Sequence, residues 1–125
     1  MKNEMALFIA AKDKQFRDDL AAGKKAIHMT GADGSEWDLM RLAWTFYPDT
    51  EAEKAGIYKV FLFERVMHPN WSKVQYRFGY YVLARNGHWV WTEKPPMFNA
   101  DDFAALLVQI VRDNVLLNGD LLVSL

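Results

Sequence analysis

Lys73-Val74-Gln75-Tyr76-Arg77-Phe78-Gly79-Tyr80-Tyr81-Val82-Leu83-Ala84-Arg85-Asn86-Gly87-His88-Trp89-Val90-Trp91-Thr92 is the stretch on which the fold turns. Lys73 to Arg85 and His88 to Thr92 are rich in aromatic and β-branched residues, the composition of strands. Asn86-Gly87 between them is the strongest short hairpin signal, because a type I′ turn needs positive φ at both central residues. A two-residue turn there sets a register. Arg85 faces His88, Ala84 faces Trp89, Leu83 faces Val90 and Val82 faces Trp91. One sheet face is then expected to carry Tyr76, Phe78, Tyr80, Val82, Trp89 and Trp91. The other carries Arg77, Tyr81, Leu83, Arg85 and Val90.

Working upstream, Ile57 to Val66 reads as a third antiparallel strand, adding Phe61 and Phe63 to the first face and Tyr58, Val60 and Leu62 to the second. Pro48 to Gly56 is polar and acidic, a loop or a single helical turn. Ser35 to Tyr47 fits two periods. Alternation groups Met40, Leu42, Trp44 and Phe46 on a strand; a helical period groups Trp37, Met40, Trp44 and Tyr47. The aromatic and threonine content favours the strand. Ala26 to Thr30 precedes Gly31-Ala32-Asp33-Gly34, a turn by its glycines and aspartate.

Helices flank this block. Asp13 is the expected N-cap of the first, with Phe16 and Leu20 on one face and Gly23 at its end; Met5, Phe8 and Ile9 extend the stripe or form a short strand. In the second, Asn99 is the expected cap after Pro95-Pro96. Phe103, Leu107, Ile110, Val111 and Leu117 form one apolar stripe widened by Leu106 and Val108, and Asn118-Gly119 ends the helix. The tail from Leu121 to Leu125 is apolar and expected to dock. The expected product is a single α+β domain spanning residues 1–125. It is an antiparallel meander of four to five strands between an N-terminal and a C-terminal helix.

Composition narrows the chemistry. The 125 residues carry 15 Lys plus Arg against 16 Asp plus Glu, too balanced for binding nucleic acid or a membrane through bulk charge. Cysteine is absent, which excludes disulfides, thiolate catalysis and Cys-ligated metal. No apolar run approaches the ~20 residues of a transmembrane helix. The short apolar stretch from Met5 to Ala11 runs into Lys12-Asp13-Lys14 and does not read as a secretory leader, so the expected compartment is the cytoplasm.

Catalytic signatures are missing. Ser35 lacks the flanks of a nucleophile elbow, and no phosphate loop or dinucleotide fingerprint is present. His28, His68 and His88 lie in separate segments without metal-ligand spacing, so no metal and no cofactor are expected. Asp18-Asp19 and Asp101-Asp102 are adjacent in helices, where neighbours point about 100° apart and cannot share a substrate.

Charge is distributed unevenly. Lys59, Arg65, Lys73, Arg77, Arg85 and Lys94 against Glu64 and Glu93 make the strands basic and the remainder acidic. Tyrosine and arginine desolvate a large area while keeping a polar handle, as contact surfaces require. The resulting expectation is a non-catalytic macromolecule-binding protein of inhibitor, immunity or adaptor type, a bacterial or phage accessory protein. It would bind another protein or itself as a homodimer, through Trp71, Arg77, Tyr81, Arg85 and His88. A second expectation is single-stranded nucleic-acid binding on the basic strands 57–92. A third is a small enzyme whose cavity between helix and sheet gathers His28 with Glu36 or Asp38 against an aromatic wall.

Overall fold

A helix whose N-cap is Asn3 opens the fold. The Asn3 side chain accepts from the Ala6 amide at 3.0 Å, and α1 runs Glu4–Ala21. Asp13, the expected cap, sits inside α1 instead. Its carboxylate accepts from Arg17 at 2.6 Å and from the Trp44 indole at 2.8 Å, tying the helix to the sheet. Gly23 ends α1 as expected, at φ +66°, with the Gly23 amide bonded to Leu20 and the Lys24 amide to Asp19, a Schellman closure. The computed structural model describes residues 3–68, 74–92, 97–98 and 100–116. Expectations resting on Trp71, Pro95-Pro96, Asn99, Leu117, Asn118-Gly119 and the tail lie outside these residues.

Five strands follow as a curled antiparallel meander in chain order: β1 (Ile27–Thr30), β2 (Glu36–Pro48), β3 (Lys59–Met67), β4 (Val74–Leu83) and β5 (Trp89–Thr92). A short helix, α2 (Thr50–Lys54), capped by Asp49, bridges β2 and β3. The C-terminal helix α3 covers Ala100–Arg112. The architecture is the expected α+β fold, and residues 36–48 are strand.

The hairpin register differs by one residue. The turn is Ala84-Arg85-Asn86-Gly87-His88. The Gly87 amide donates to the Ala84 carbonyl at 3.0 Å, the Ala84 amide to the His88 carbonyl at 2.8 Å, and only Gly87 has positive φ (+85°). This is a three-residue loop with a glycine bulge, not the two-residue turn. Asn86 stays out of the left-handed region, and its side chain accepts from the His88 amide. Leu83 therefore faces Trp89, Val82 faces Val90 and Tyr81 faces Trp91. A one-residue slip exchanges the faces of a whole strand. Trp89 and Trp91 join Tyr81 and Leu83, and Val90 moves to the side of Val82.

A second irregularity splits β2. Arg41 pairs with Val66, but Ala43 pairs with Arg65, so Leu42 is an extra residue. Trp44 and Phe46 thus share a face with Leu39 and Arg41, and the single row Met40-Leu42-Trp44-Phe46 expected from alternation is broken.

Both faces are covered. Under α1 lie Met5, Phe16, Phe46, Val60 and Leu62, with Phe8, Trp44, Tyr81, Trp89 and Trp91 packed on them. Ile27, Leu39 and Val66 continue this layer below β1. Opposite, Leu106, Ile110 and Val115 pack on Ala43, Tyr47, Phe63, Phe78 and Phe98. Gly79 has a reason to lack a side chain: a Cβ there would stand 2.4 Å from the Trp91 ring.

Candidate interaction surfaces

The α1 side of the sheet has a charged centre. Glu64 of β3 is completely buried and accepts from Arg41 of β2 at 2.5 Å and from Arg77 of β4 at 2.9 Å. Each guanidinium also covers an aromatic ring. Arg41 stands 3.6 Å above Phe16, and Arg77 4.6 Å above Trp91. One carboxylate between two guanidiniums leaves this row of three strands with one net positive charge. Charges so far from water persist only because each is paired and hydrogen-bonded.

This arrangement relocates the sequence-selected residues. Arg77 is engaged by Glu64 and Trp91. Tyr81 lies half-buried against Phe8, with ring centroids 5.0 Å apart, and against Trp91 at 4.8 Å. Burial pushes the Tyr81 hydroxyl pKa above the ordinary tyrosine value. Arg85 and His88 are exposed, but they stand at the hairpin tip, away from the α1-covered row. The four residues do not form the single continuous sheet surface expected of them, because α1 stands over Tyr81 and the shifted register brings the tryptophans to the same side.

Two wide hollows open on the surface. One, of about 430 Å³, is lined by His28, Met29, Thr30, Arg77, Trp91 and Thr92. The other, of about 390 Å³, lies beside the β2 bulge between Asp13 and Asp113. His28 does meet carboxylates: its ring stands 2.8 Å from Asp38 and 3.7 Å from Glu36. The hydrogen bond to Asp38 raises the His28 pKa above the usual imidazole value. Alternation nevertheless puts the pair on the face opposite Ile27, Met29 and Leu39, and neither carboxylate lines the hollow that holds Trp91. Among the described residues no group of three His, Asp or Glu side chains is placed to hold a metal.

The other candidate surface is α3, whose polarity is inverted. Its polar side chains point at the sheet. Tyr47 donates to Asp102 at 3.0 Å, Gln109 donates to Thr45 at 2.8 Å and to the Phe46 carbonyl, and Thr45 donates to Asp113 at 2.7 Å. Burial and the Asp102 contact both raise the Tyr47 pKa. Leu106 and Ile110 alone of the helix are buried. The remaining apolar residues face water: Phe103 is 46% exposed, Leu107 47%, Val108 66% and Val111 48%. With Ala104, the last three recur at the i, i+3, i+4, i+7 spacing of one helical face. The stripe expected from the sequence therefore divides into an inner pair and an outer row. The outer row was legible in principle, since Asp102, Gln109 and Asp113 also recur on one face and mark it as satisfied by partners on the sheet.

The helix ends at Arg112, earlier than the Asn118-Gly119 stop expected from the sequence. Asn114 takes φ +55°, the Val115 amide bonds to Ile110, and Arg65 donates to the Asn114 and Val115 carbonyls. Among the described residues no helix is long and apolar enough to cross a membrane. Comparison of the chain with protein-family models, with curated proteins and with solved structures returns no match in any of the three.

Proposed function

We propose that this is a non-catalytic binding protein of the cytoplasm, acting by contact with another protein chain. The observation that carries the reading is the outward apolar row of α3. Isolated exposed leucines are ordinary, but four large apolar side chains and one alanine on adjoining helical positions form a patch of the kind that marks contact sites. The expected surface shifts accordingly from the sheet to the helix, with Arg85 and His88 remaining as candidate polar contacts at the hairpin tip. Nucleic-acid binding draws less support, because Arg77 already neutralises Glu64 and covers Trp91. A catalytic reading draws less as well, because His28 borders the aromatic hollow but its carboxylates, Asp38 and Glu36, do not line it.

The test is affinity capture with the purified protein from nuclease-treated lysate of its native cell, alongside measurement of self-association. The expected result is a bound protein partner that Leu107→Glu or Val108→Glu releases, with the melting temperature unchanged, while Arg85→Ala weakens binding far less. Binding that instead falls with salt at a log–log slope of about −0.7 per phosphate contacted marks single-stranded nucleic acid and removes the proposal.

A further inference from the structure

We infer that the outer face of α3 pairs with α3 of a second copy of this chain, antiparallel, about a two-fold axis near Leu107 and Val108. The inference rests on the contact-protein reading above and names the partner.

The argument begins with the helical wheel. Ala104, Leu107, Val108 and Val111 lie within about 100° of one another at 100° per residue, directly opposite the sheet-facing Leu106, Gln109 and Asp113. A face so placed stands clear of the described sheet and helices, and a flat partner can reach it. Two charged residues flank the row on the same side, Asp101 in the first turn and Arg112 in the last. Both are exposed. When two helices pack antiparallel about a perpendicular two-fold axis, each flank meets the same flank of the partner in reverse order. Asp101 then lies beside Arg112 of the second copy, and Arg112 beside its Asp101, so both ends of the contact are charge-matched. Parallel packing sets this flank against the opposite one, where Phe103 and Leu107 project, and matches no charge. The helix dipoles also oppose one another in the antiparallel pair. An isologous contact needs a surface complementary to itself, and an apolar centre with an acid at one end and a base at the other meets that condition.

Size sets the strength. A stable interface takes about 800 Å² from each partner. A helix of 13 residues is about 20 Å long and supplies less than that by itself. The pair is therefore an equilibrium of about micromolar strength or weaker, visible as concentration dependence.

Sedimentation equilibrium of the full chain tests this from micromolar to millimolar protein. The expected mass rises from 14.5 kDa towards twice that value. Val108→Glu places two carboxylates at the axis and raises the dissociation constant at least about tenfold, while circular dichroism stays unchanged. Asp101→Arg weakens association about two- to five-fold, the range of an exposed ion pair, and adding Arg112→Asp restores it. A chain that stays at 14.5 kDa throughout, a dimer indifferent to Val108→Glu, or a charge swap without rescue overturns the antiparallel pair. A monomer that still loses a heterologous protein partner on Val108→Glu overturns self-pairing alone and leaves the contact reading standing; a monomer that binds no protein at all removes both.

Discussion

The two long helices clothe the same sheet in opposite ways. α1 presents Met5, Phe8 and Phe16 to the strands and forms the ion pairs Lys14–Asp18 and Arg17–Asp13 along its length, at 2.9 and 2.6 Å. α3 turns Asp102 and Gln109, with Asp113 just beyond its end, to the sheet and exposes its valines. The strands explain the difference. Under α1 the polar requirement is met largely inside the sheet itself, where Glu64 holds Arg41 and Arg77, so beyond the Asp13 acceptor for the Trp44 indole the helix supplies apolar cover. On the other side, Thr45, Tyr47 and the Phe46 carbonyl need partners, and α3 provides them. Using its inner face for hydrogen bonds leaves the helix with apolar residues that the described strands and helices do not bury. An amphipathic helix is thus oriented by the whole of its partner surface, not by its own hydrophobic stripe.

The sharpest way to break this contrast is at Glu64. Glu64→Gln leaves two largely buried guanidiniums without their countercharge and is expected to cost about 3–5 kcal/mol in urea denaturation. A loss below about 1 kcal/mol would mean that the row under α1 is hydrated. Gly79→Ala is next. It drives a methyl into the Trp91 ring and the Thr92 carbonyl, with an expected cost of about 1–3 kcal/mol and a perturbed tryptophan fluorescence.

On the α3 side, Gln109→Ala removes the bonds to Thr45 and Phe46, and about 1–2 kcal/mol should follow in the same denaturation experiment. Val108→Ser, measured on dilute monomer, is expected to change stability by less than about 0.5 kcal/mol. A large loss there would place Val108 in the core and erase the contrast between the helices.

The smallest effect belongs to the exposed His28. Its pKa is raised by Asp38, so its contribution to stability is present below pH 6.5 and fades as pH rises through the higher folded value. Titration by NMR should give a midpoint above 6.5, returning towards that value in Asp38→Asn.

Much of the architecture is legible because it is encoded locally. The three central strands, the short turn after Pro48, the glycine closing α1 and the start of α3 near Ala100 follow from alternation, turn residues and helix stops. Helix limits depart further, α1 being capped by Asn3 and not Asp13, while the departures within the sheet are of one residue. Asn86-Gly87 suggests a two-residue turn, but Ala84 to His88 closes with a glycine bulge, as does the other hairpin, where the Gly34 amide bonds to Gly31 and Gly34 takes φ +85°. That slip moves Trp89 and Trp91 across the sheet, onto the side where alternation alone leaves Arg77 and Tyr81 uncovered. The bulge at Leu42 leaves no mark in the residue pattern, because Met40, Leu42, Trp44 and Phe46 alternate faultlessly until β3 is paired against them.

The sequence by itself determined the elements and their antiparallel order, since hairpin turns and alternating strands are properties of neighbouring residues. Only the tertiary structure decided which face each strand shows and which way α3 rolls. Those choices depend on pairing across distant residues, where Glu64 must find both Arg41 and Arg77, and Gln109 must find Thr45. A buried charge or amide without its partner costs more than an exposed valine, and that inequality turned the apolar row of α3 to the outside.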